Sequence, residues 1–147
     1  MAAWILLGAS IAWLVVLAGT ASGAFDAITW AVFRFSSFIC HQQPNRSFHW
    51  STQWPVCARC LGLYAAAPAG AIGAMLIRGS RTRAANFLLL CIASLPTLAT
   101  WGLEHIAGWS MTNGVRFWAA LPLGAAVTWV IARTLTAGNR EYSTGMN

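Results

Sequence analysis

The sequence predicts an all-α polytopic membrane protein, a single membrane domain of four transmembrane helices plus one interfacial helix. Three observations lead there. Hydrophobic residues fill 58% of the 147 positions and charged ones only 8%, against roughly 25% charged in an ordinary soluble domain. Four stretches, at about 3–23, 57–77, 86–107 and 116–137, reach the ~20 mostly apolar residues that a bilayer-crossing helix needs. Nine tryptophans add to the pattern, because indoles collect where a bilayer meets water.

The first stretch resembles a secretory signal in having small residues (Thr20 to Ala24) after an apolar run. No positive segment precedes it and the run is long for a signal core, so a retained helix is expected. Residues 24–39 (AFDAITWAVFRFSSFI) are apolar, short, and carry Asp26 and Arg34. They predict an interfacial helix that delivers Cys40 to the membrane surface, with a fifth span as the lesser alternative. The second span is dense in small residues (AAAPAGAIGA), which lets a neighbouring helix approach closely. Asn86 is positioned to N-cap the third span. Pro96 is expected to kink that span, and Pro68 and Pro122 to act similarly in the second and fourth. Cys91, mid-span, is expected to be a small buried hydrophobe.

The formal charge of +6 comes from nine scattered arginines, with no lysine. No basic face exists for nucleic acid, so membrane lipids are the expected partners. One face holds both termini with Arg78, Arg81, Arg83, Arg133 and Arg140; the other holds Arg34, Arg46, Arg59 and Arg116. Arg46 and Arg59 lie within a Cys/His motif. Discounting them, the positive-inside rule places both termini in the cytoplasm of a cell (inner) membrane and the motif outside. In a chain of four spans the first and third connections share a face. WGLEHIAGWSMTNGVR (101–116) should therefore meet the Cys/His segment, which makes Glu104, His105, Asn113 and Arg116 candidate partners.

The chemistry is concentrated in CHQQPNRSFHWSTQWPVCARCLGLY (40–64), which holds three of the four cysteines and two of the three histidines. Cys57-Ala58-Arg59-Cys60 opens the second span, where unpaired backbone amides and the helix dipole favour thiolate. The spacing sets both sulfurs on one face, and Tyr64 returns to it. Cys40 and His49 would complete a Cys3His sphere, common for structural zinc, with Pro44 and Asn45 turning the chain between them. His41, beside Cys40, is the alternative imidazole, ranked below His49. An open coordination position would make the site catalytic. Glu104 or His105 would then move protons, and Arg46, Arg59 and Arg116, with Tyr64, would hold an anion. Zinc is the first choice of ion, with copper or iron as alternatives; an iron–sulfur cluster wants a different ligand set.

Two other readings fit the same residues. Cys57 and Cys60 can cycle between dithiol and disulfide with Cys40 as resolving partner, in a thiol-disulfide or electron-transfer protein. A closed metal site can also staple a non-catalytic subunit that packs against copies of itself or a larger membrane complex.

CHQQPNRSFH followed by PVCARCLGLY resembles the signature of a family of small bacterial and archaeal membrane proteins, domain of unknown function 2085. That signature is Cys-His-Gln-x-Pro-x-Arg-Ser-Phe, then Pro-Val-Cys-x-Arg-Cys-x-Gly-x-Tyr. It falls on Cys40, His41, Gln42, Pro44, Arg46, Ser47 and Phe48, then on Pro55, Val56, Cys57, Arg59, Cys60, Gly62 and Tyr64. Arg116 and Gly124 are similar to the family's Arg and Gly around the start of the last span. Asn45 stands where members often have Glu, and Trp101-Gly102 where they often have Asp-Gly. The resemblance implies the membrane architecture and the site, gives His41 and Arg59 added weight, and implies no particular reaction.

Overall fold

The computed structural model of the protein describes residues 2–77 and 82–144, with only the backbone given for Asp26 and for residues 137–144. Arg78 and Arg81, on which the expected orientation leans, lie outside the described residues, as does the side chain of Arg140. Five α-helices are present among the described residues: α1 (Ala2–Ser22), α2 (Asp26–Ser36), α3 (Ala58–Leu76), α4 (Arg83–His105) and α5 (Asn113–Thr144). Four of them, α1, α3, α4 and α5 through Thr136, are long and apolar enough to cross a membrane, with mean hydropathies of 2.1, 1.2, 1.5 and 1.5. The chain is a polytopic membrane protein, and all three internal prolines lie inside continuous helices.

Sequence reasoning missed a small antiparallel hairpin between α2 and α3. It pairs β1 (Ser47–His49) with β2 (Gln53–Cys57) in the register Ser47↔Cys57 and His49↔Gln53. The hairpin tip docks on the end of α1. The amides of Ser51 and Thr52 donate to the Ala21 carbonyl (3.1 and 3.0 Å), and Thr52 Oγ1 donates to the Thr20 carbonyl (3.0 Å). These bonds satisfy carbonyls that a helix C-terminus leaves without partners. Gly23, at φ 80°, turns the chain out of α1 in the left-handed conformation usual there.

The residues of α2 divide by face. Val32 and Ser36 are buried, while Ile28, Trp30 and Phe35 point outward, followed by exposed Phe38 and Ile39. A short helix with an exposed aromatic face lying across the end of α1 is an interfacial element. Beneath it and the hairpin sits the core of Leu17, Val32, Cys40, Val56 and Leu61, so Cys40 belongs to a buried apolar cluster.

The small-residue face of α3 is used within the chain. A side chain at Gly62 would run into the Phe117 carbonyl, one at Gly70 into the Ala125 carbonyl, and one at Gly124 into the Leu63 carbonyl. Glycines on both helices thus bring α3 and α5 into backbone contact, the usual basis of close helix pairing in lipid. In contrast, α4 rests on α5 and scarcely touches α3, so a cleft runs between α3 and α4. Two local expectations are corrected. Thr82 caps α4, its hydroxyl accepting from the Ala85 amide (3.2 Å), and Asn86 lies in the first turn. Cys91 is exposed on the outer face of α4, since a helix packed on one neighbour alone presents most of its apolar surface to lipid.

Candidate metal centre

Three chain segments converge on the cysteines. Cys40 follows the last turn of α2, its amide donating to the Ser36 carbonyl at 2.9 Å. Cys57 ends β2 and is the N-cap of α3, in extended conformation (φ −71°, ψ 163°), and Cys60 lies in the first turn of α3. The Cys57 amide donates to Cys40 Sγ at 3.1 Å. All three sulfurs lie within 4.8 Å of one another. Around a tetrahedral ion with Zn–S of ~2.3 Å, sulfurs stand ~3.8 Å apart. The cluster needs to contract by no more than about 1 Å to take one ion, so the donor set fits. The Cys57 and Cys60 side chains donate to the Cys40 sulfur and hold its thiol well below the ordinary range, outweighing burial, which acts upward. Cys40 is therefore the first of the trio to carry the thiolate charge that ligation requires.

The loop after Cys40 is held by residues to which the sequence reading gave no role. Gln42 adopts φ 49°, a conformation uncommon outside glycine and asparagine. Its Nε2 donates to both the Phe33 and Pro55 carbonyls at 2.8 Å, while Gln53 Nε2 donates to the Gln42 carbonyl at 2.8 Å. Gln42 stands in the Cys-His-Gln signature; that position, next to a ligand pair, was the available signal. Pro44–Arg46 then form a single 3₁₀ turn at the expected corner.

Neither histidine joins the sulfurs. His49 is exposed on the hairpin, paired with Gln53, and lies outside the cavity beside the thiols. The sequence reading ranks His49 above His41; in the structure His41, also exposed, lines that cavity, and the unforeseen strand register carries His49 away from it. The cavity measures about 370 Å³, and its walls include all three cysteines, His41, Arg46, Arg59, His105 and Arg116. Gln43 and Trp101, unassigned from sequence, line it too. Tyr64 does not; it packs edge-on against Trp13 at 6.1 Å and belongs to the core behind the thiols.

The first and third connections between spans meet, as four spans require. Asn113 Nδ2 donates to the Ser47 carbonyl (2.9 Å), and Arg116 Nη1 donates to Asn113 Oδ1 (2.7 Å). Glu104 bridges two helices: Oε2 accepts from Arg59 Nη2 and Oε1 from Arg116 Nε, both at 2.6 Å. Its side chain is 4% exposed and is absent from the cavity wall, so the carboxylate is committed to two guanidiniums and not free to move protons. His105 is better placed. It stacks on Trp101 at 4.5 Å, and its Nδ1 lies 2.9 Å from the Trp101 carbonyl. That contact makes Nδ1 the protonated nitrogen and leaves Nε2 as the acceptor. The Arg46 guanidinium makes no hydrogen bond or ion pair among the described residues, its amide alone donating to the Gln43 carbonyl (3.0 Å), and Arg59 Nε is buried without a partner. Three guanidiniums thus line the cavity and one carboxylate pairs with two of them, with donor capacity left over beside the thiols.

Comparison with known proteins follows these residues. The sequence profile of a family described as "Predicted membrane protein (DUF2085)" matches residues 40–130, a range that starts at the first thiol and includes the hairpin, α3, α4 and the first part of α5. A protein of Methanothermobacter thermautotrophicus, described as "Uncharacterized protein", is 37% identical over 89 residues, covering 59% of this chain and 78% of its own length. No solved structure matches the chain.

Proposed function

The chain belongs to the DUF2085 family of predicted membrane proteins, and from that premise we propose a metal-dependent membrane protein that acts on an anionic molecule. Cys40, Cys57 and Cys60 hold the ion, with zinc the first choice and copper or iron the alternatives. The observation that carries this reading is the convergence of three sulfurs on the wall of an arginine-lined cavity. Three protein ligands leave a tetrahedral ion one position to spare, as in catalytic sites. When bound, such an ion supplies Lewis acidity toward an oxygen of the ligand.

The chain's own residues supply the rest. Arg46 and Arg59 orient an anionic group by charged hydrogen bonds. Glu104 fixes Arg59 and Arg116 and acts as a positioning residue. His105 lines the site, and its Nε2 is the group that accepts or returns a proton. His41 is the candidate fourth ligand when no substrate is present. The site lies at the extracytoplasmic face of the cell membrane, with both termini in the cytoplasm. Supporting this orientation, Arg46, Arg59 and Arg116 are cavity residues, which leaves Arg83 and Arg133 with the other loop arginines to set the topology.

Elemental analysis of protein purified without added metal tests the reading; one equivalent of ion is expected. Absence of a stoichiometric ion, together with a Cys57–Cys60 disulfide seen by mass, would sink it in favour of thiol-disulfide chemistry. With metal present, Arg46→Gln and His105→Gln should abolish turnover of an identified substrate while retaining the ion. A structural staple would show no such loss. Labelling of metal-depleted sites in intact cells by a membrane-impermeant thiol reagent is expected, and protection of the thiols after depletion would refute the orientation.

A further inference from the structure

The cleft between α3 and α4 continues past the arginine cavity. A second, apolar cavity of about 560 Å³ lies further along the same helices, floored by α5. Its walls include Ala69 and Gly70 on α3, Ile92 and Pro96 on α4, and Pro122 and Trp129 on α5. The same three helices thus contribute to both cavities, joined in the polar one by residues 39–43, Arg46 and Cys57, with the polar cavity at one end of these helices and the apolar one within the apolar region. Between them α4 is tied to α5 by Thr97 Oγ1 donating to the Ala119 carbonyl at 2.8 Å.

We infer that the anion of the polar cavity is the headgroup of a lipid whose chain occupies the apolar groove. The inference rests on the anion-binding part of the proposed function and deepens it; it does not require the metal. Depth supports it. At a rise of ~1.5 Å per residue, the near wall of the groove lies about 8 Å from Trp101 (at Pro96), 9 Å from Arg116 (at Pro122) and 14 Å from Cys60 (at Ala69), and its far wall about 18, 20 and 26 Å away (at Leu89, Trp129 and Ile77). One leaflet of hydrocarbon is about 15 Å deep, half the ~30 Å core. A chain descending from a headgroup at the thiols and arginines thus meets the near wall of the groove within that leaflet, and the groove carries on past the midplane. Charge supports it as well. The Arg46 guanidinium is unpaired among the described residues and Arg59 Nε is buried without a partner, which suits a phosphate-type anion and gives a neutral zwitterion no advantage. Shape supports it last. Among the helices, α3 and α4 scarcely touch, so the groove opens sideways to the bilayer and a chain enters without leaving lipid.

The test is native mass spectrometry of the full chain released from nanodiscs that contain phosphatidic acid and phosphatidylcholine in equal amounts. Binding of glycerol 3-phosphate and metal content are measured on the same preparations. Wild type should retain phosphatidic acid at least about tenfold over phosphatidylcholine, and glycerol 3-phosphate should bind at least about tenfold more weakly than the lipid. Ala69 is exposed on the groove wall, so Ala69→Trp fills the groove from its open side. It should remove most of the lipid preference while glycerol 3-phosphate binding and metal content stay at wild-type levels. Ile92→Trp does the same from the opposite wall, should Ala69→Trp fail to fold. Gly8→Trp places the same ring on α1 where no atom lies within 4 Å of an added Cβ, and should change nothing. Arg46→Gln should weaken lipid and glycerol 3-phosphate alike. Equal retention by wild type and both groove variants overturns the inference, as does equal affinity for the soluble phosphate. Metal-free protein that keeps the lipid preference would instead fail the metal reading and leave this one standing.

Discussion

Substituting Glu104 tests the clasp that closes the cleft. The carboxylate is 4% exposed and its partners Arg59 and Arg116 are 15% and 10% exposed, so the charges are largely out of water on both sides. Glu104→Gln keeps the size and one carbonyl oxygen. It replaces the other oxygen with a donor facing a guanidinium donor, and leaves two cations uncompensated. A hydrogen bond to a charged group contributes ~1.5–3 kcal/mol, and removing one partner of a buried pair costs ~3–5 kcal/mol. The adjacent cavity admits water to Arg59, which favours the lower part of that range. A loss of about 3 kcal/mol is expected, roughly a hundredfold in the unfolding equilibrium. The assay is reversible unfolding of the full chain in mixed micelles, raising the mole fraction of sodium dodecyl sulfate and following helical circular dichroism. Adding Arg59→Gln to Glu104→Gln should recover part of the loss, because it removes one stranded cation. A Glu104→Gln protein within ~0.5 kcal/mol of wild type, the range of an ordinary surface substitution, would refute the argument that these contacts close the α3–α4 cleft.

Four further outcomes are expected. Cys40→Ser should lose the metal equivalent seen by elemental analysis, whereas Cys91→Ser, on the lipid-facing side of α4, should keep it. In metal-free protein the lowered Cys40 thiol should make stability fall as pH drops from the ordinary thiol value of ~8.5 towards the lowered one; the unfolding titration repeated across pH below ~8.5 shows the slope, and Cys40→Ser reduces it. Gln42→Asn tolerates the positive φ but is too short to reach both the Phe33 and Pro55 carbonyls, so metal affinity should fall about tenfold or more with the helical spectrum unchanged. Gly70→Leu drives a side chain into the Ala125 carbonyl and should abolish the folded state in the unfolding titration, while Gly8→Leu on open α1 surface should leave it intact.

The spans were legible because a bilayer imposes length and hydropathy on any helix that crosses it. α3 (Ala58–Leu76) begins and ends within a residue of the expected 57–77. The start of α4 was less legible, since Thr82 and Asn86 are both good N-cap residues and only the hydroxyl contact to Ala85 decides between them. The hairpin was hidden for a different reason. β1 has three residues and β2 contains Pro55, so neither strand announces itself by alternation. Its register depends on distant partners, the carbonyls of Thr20 and Ala21 at its tip and Cys40 Sγ at its base. That register decides which histidine lies near the thiols, so the imidazole could not be assigned by spacing. Topology brought Glu104 to the right face, but the sequence could not reveal that one carboxylate spans guanidiniums from α3 and α5.

The first turn of α3 joins the metal centre to the clasp. Cys57, Arg59 and Cys60 fall within four consecutive residues, Cys57 as the extended N-cap and the other two in the first turn, where at ~100° per residue Arg59 points ~100° from Cys60. The helix can direct two sulfurs at Cys40 and one guanidinium at Glu104 in only one rotational setting. Ligation of an ion by the three sulfurs would pin that setting, and with it the aim of Arg59 across the cleft. Release of the ion would free α3 to rotate within the limits set by its glycine contacts with α5. The glycines restrict how α3 and α5 approach, the thiols restrict how α3 turns, and Glu104 transmits that angle to α4, which has few other ties to α3. An ion held by the thiols would thus bear on the same helix orientation that aims Arg59 at Glu104.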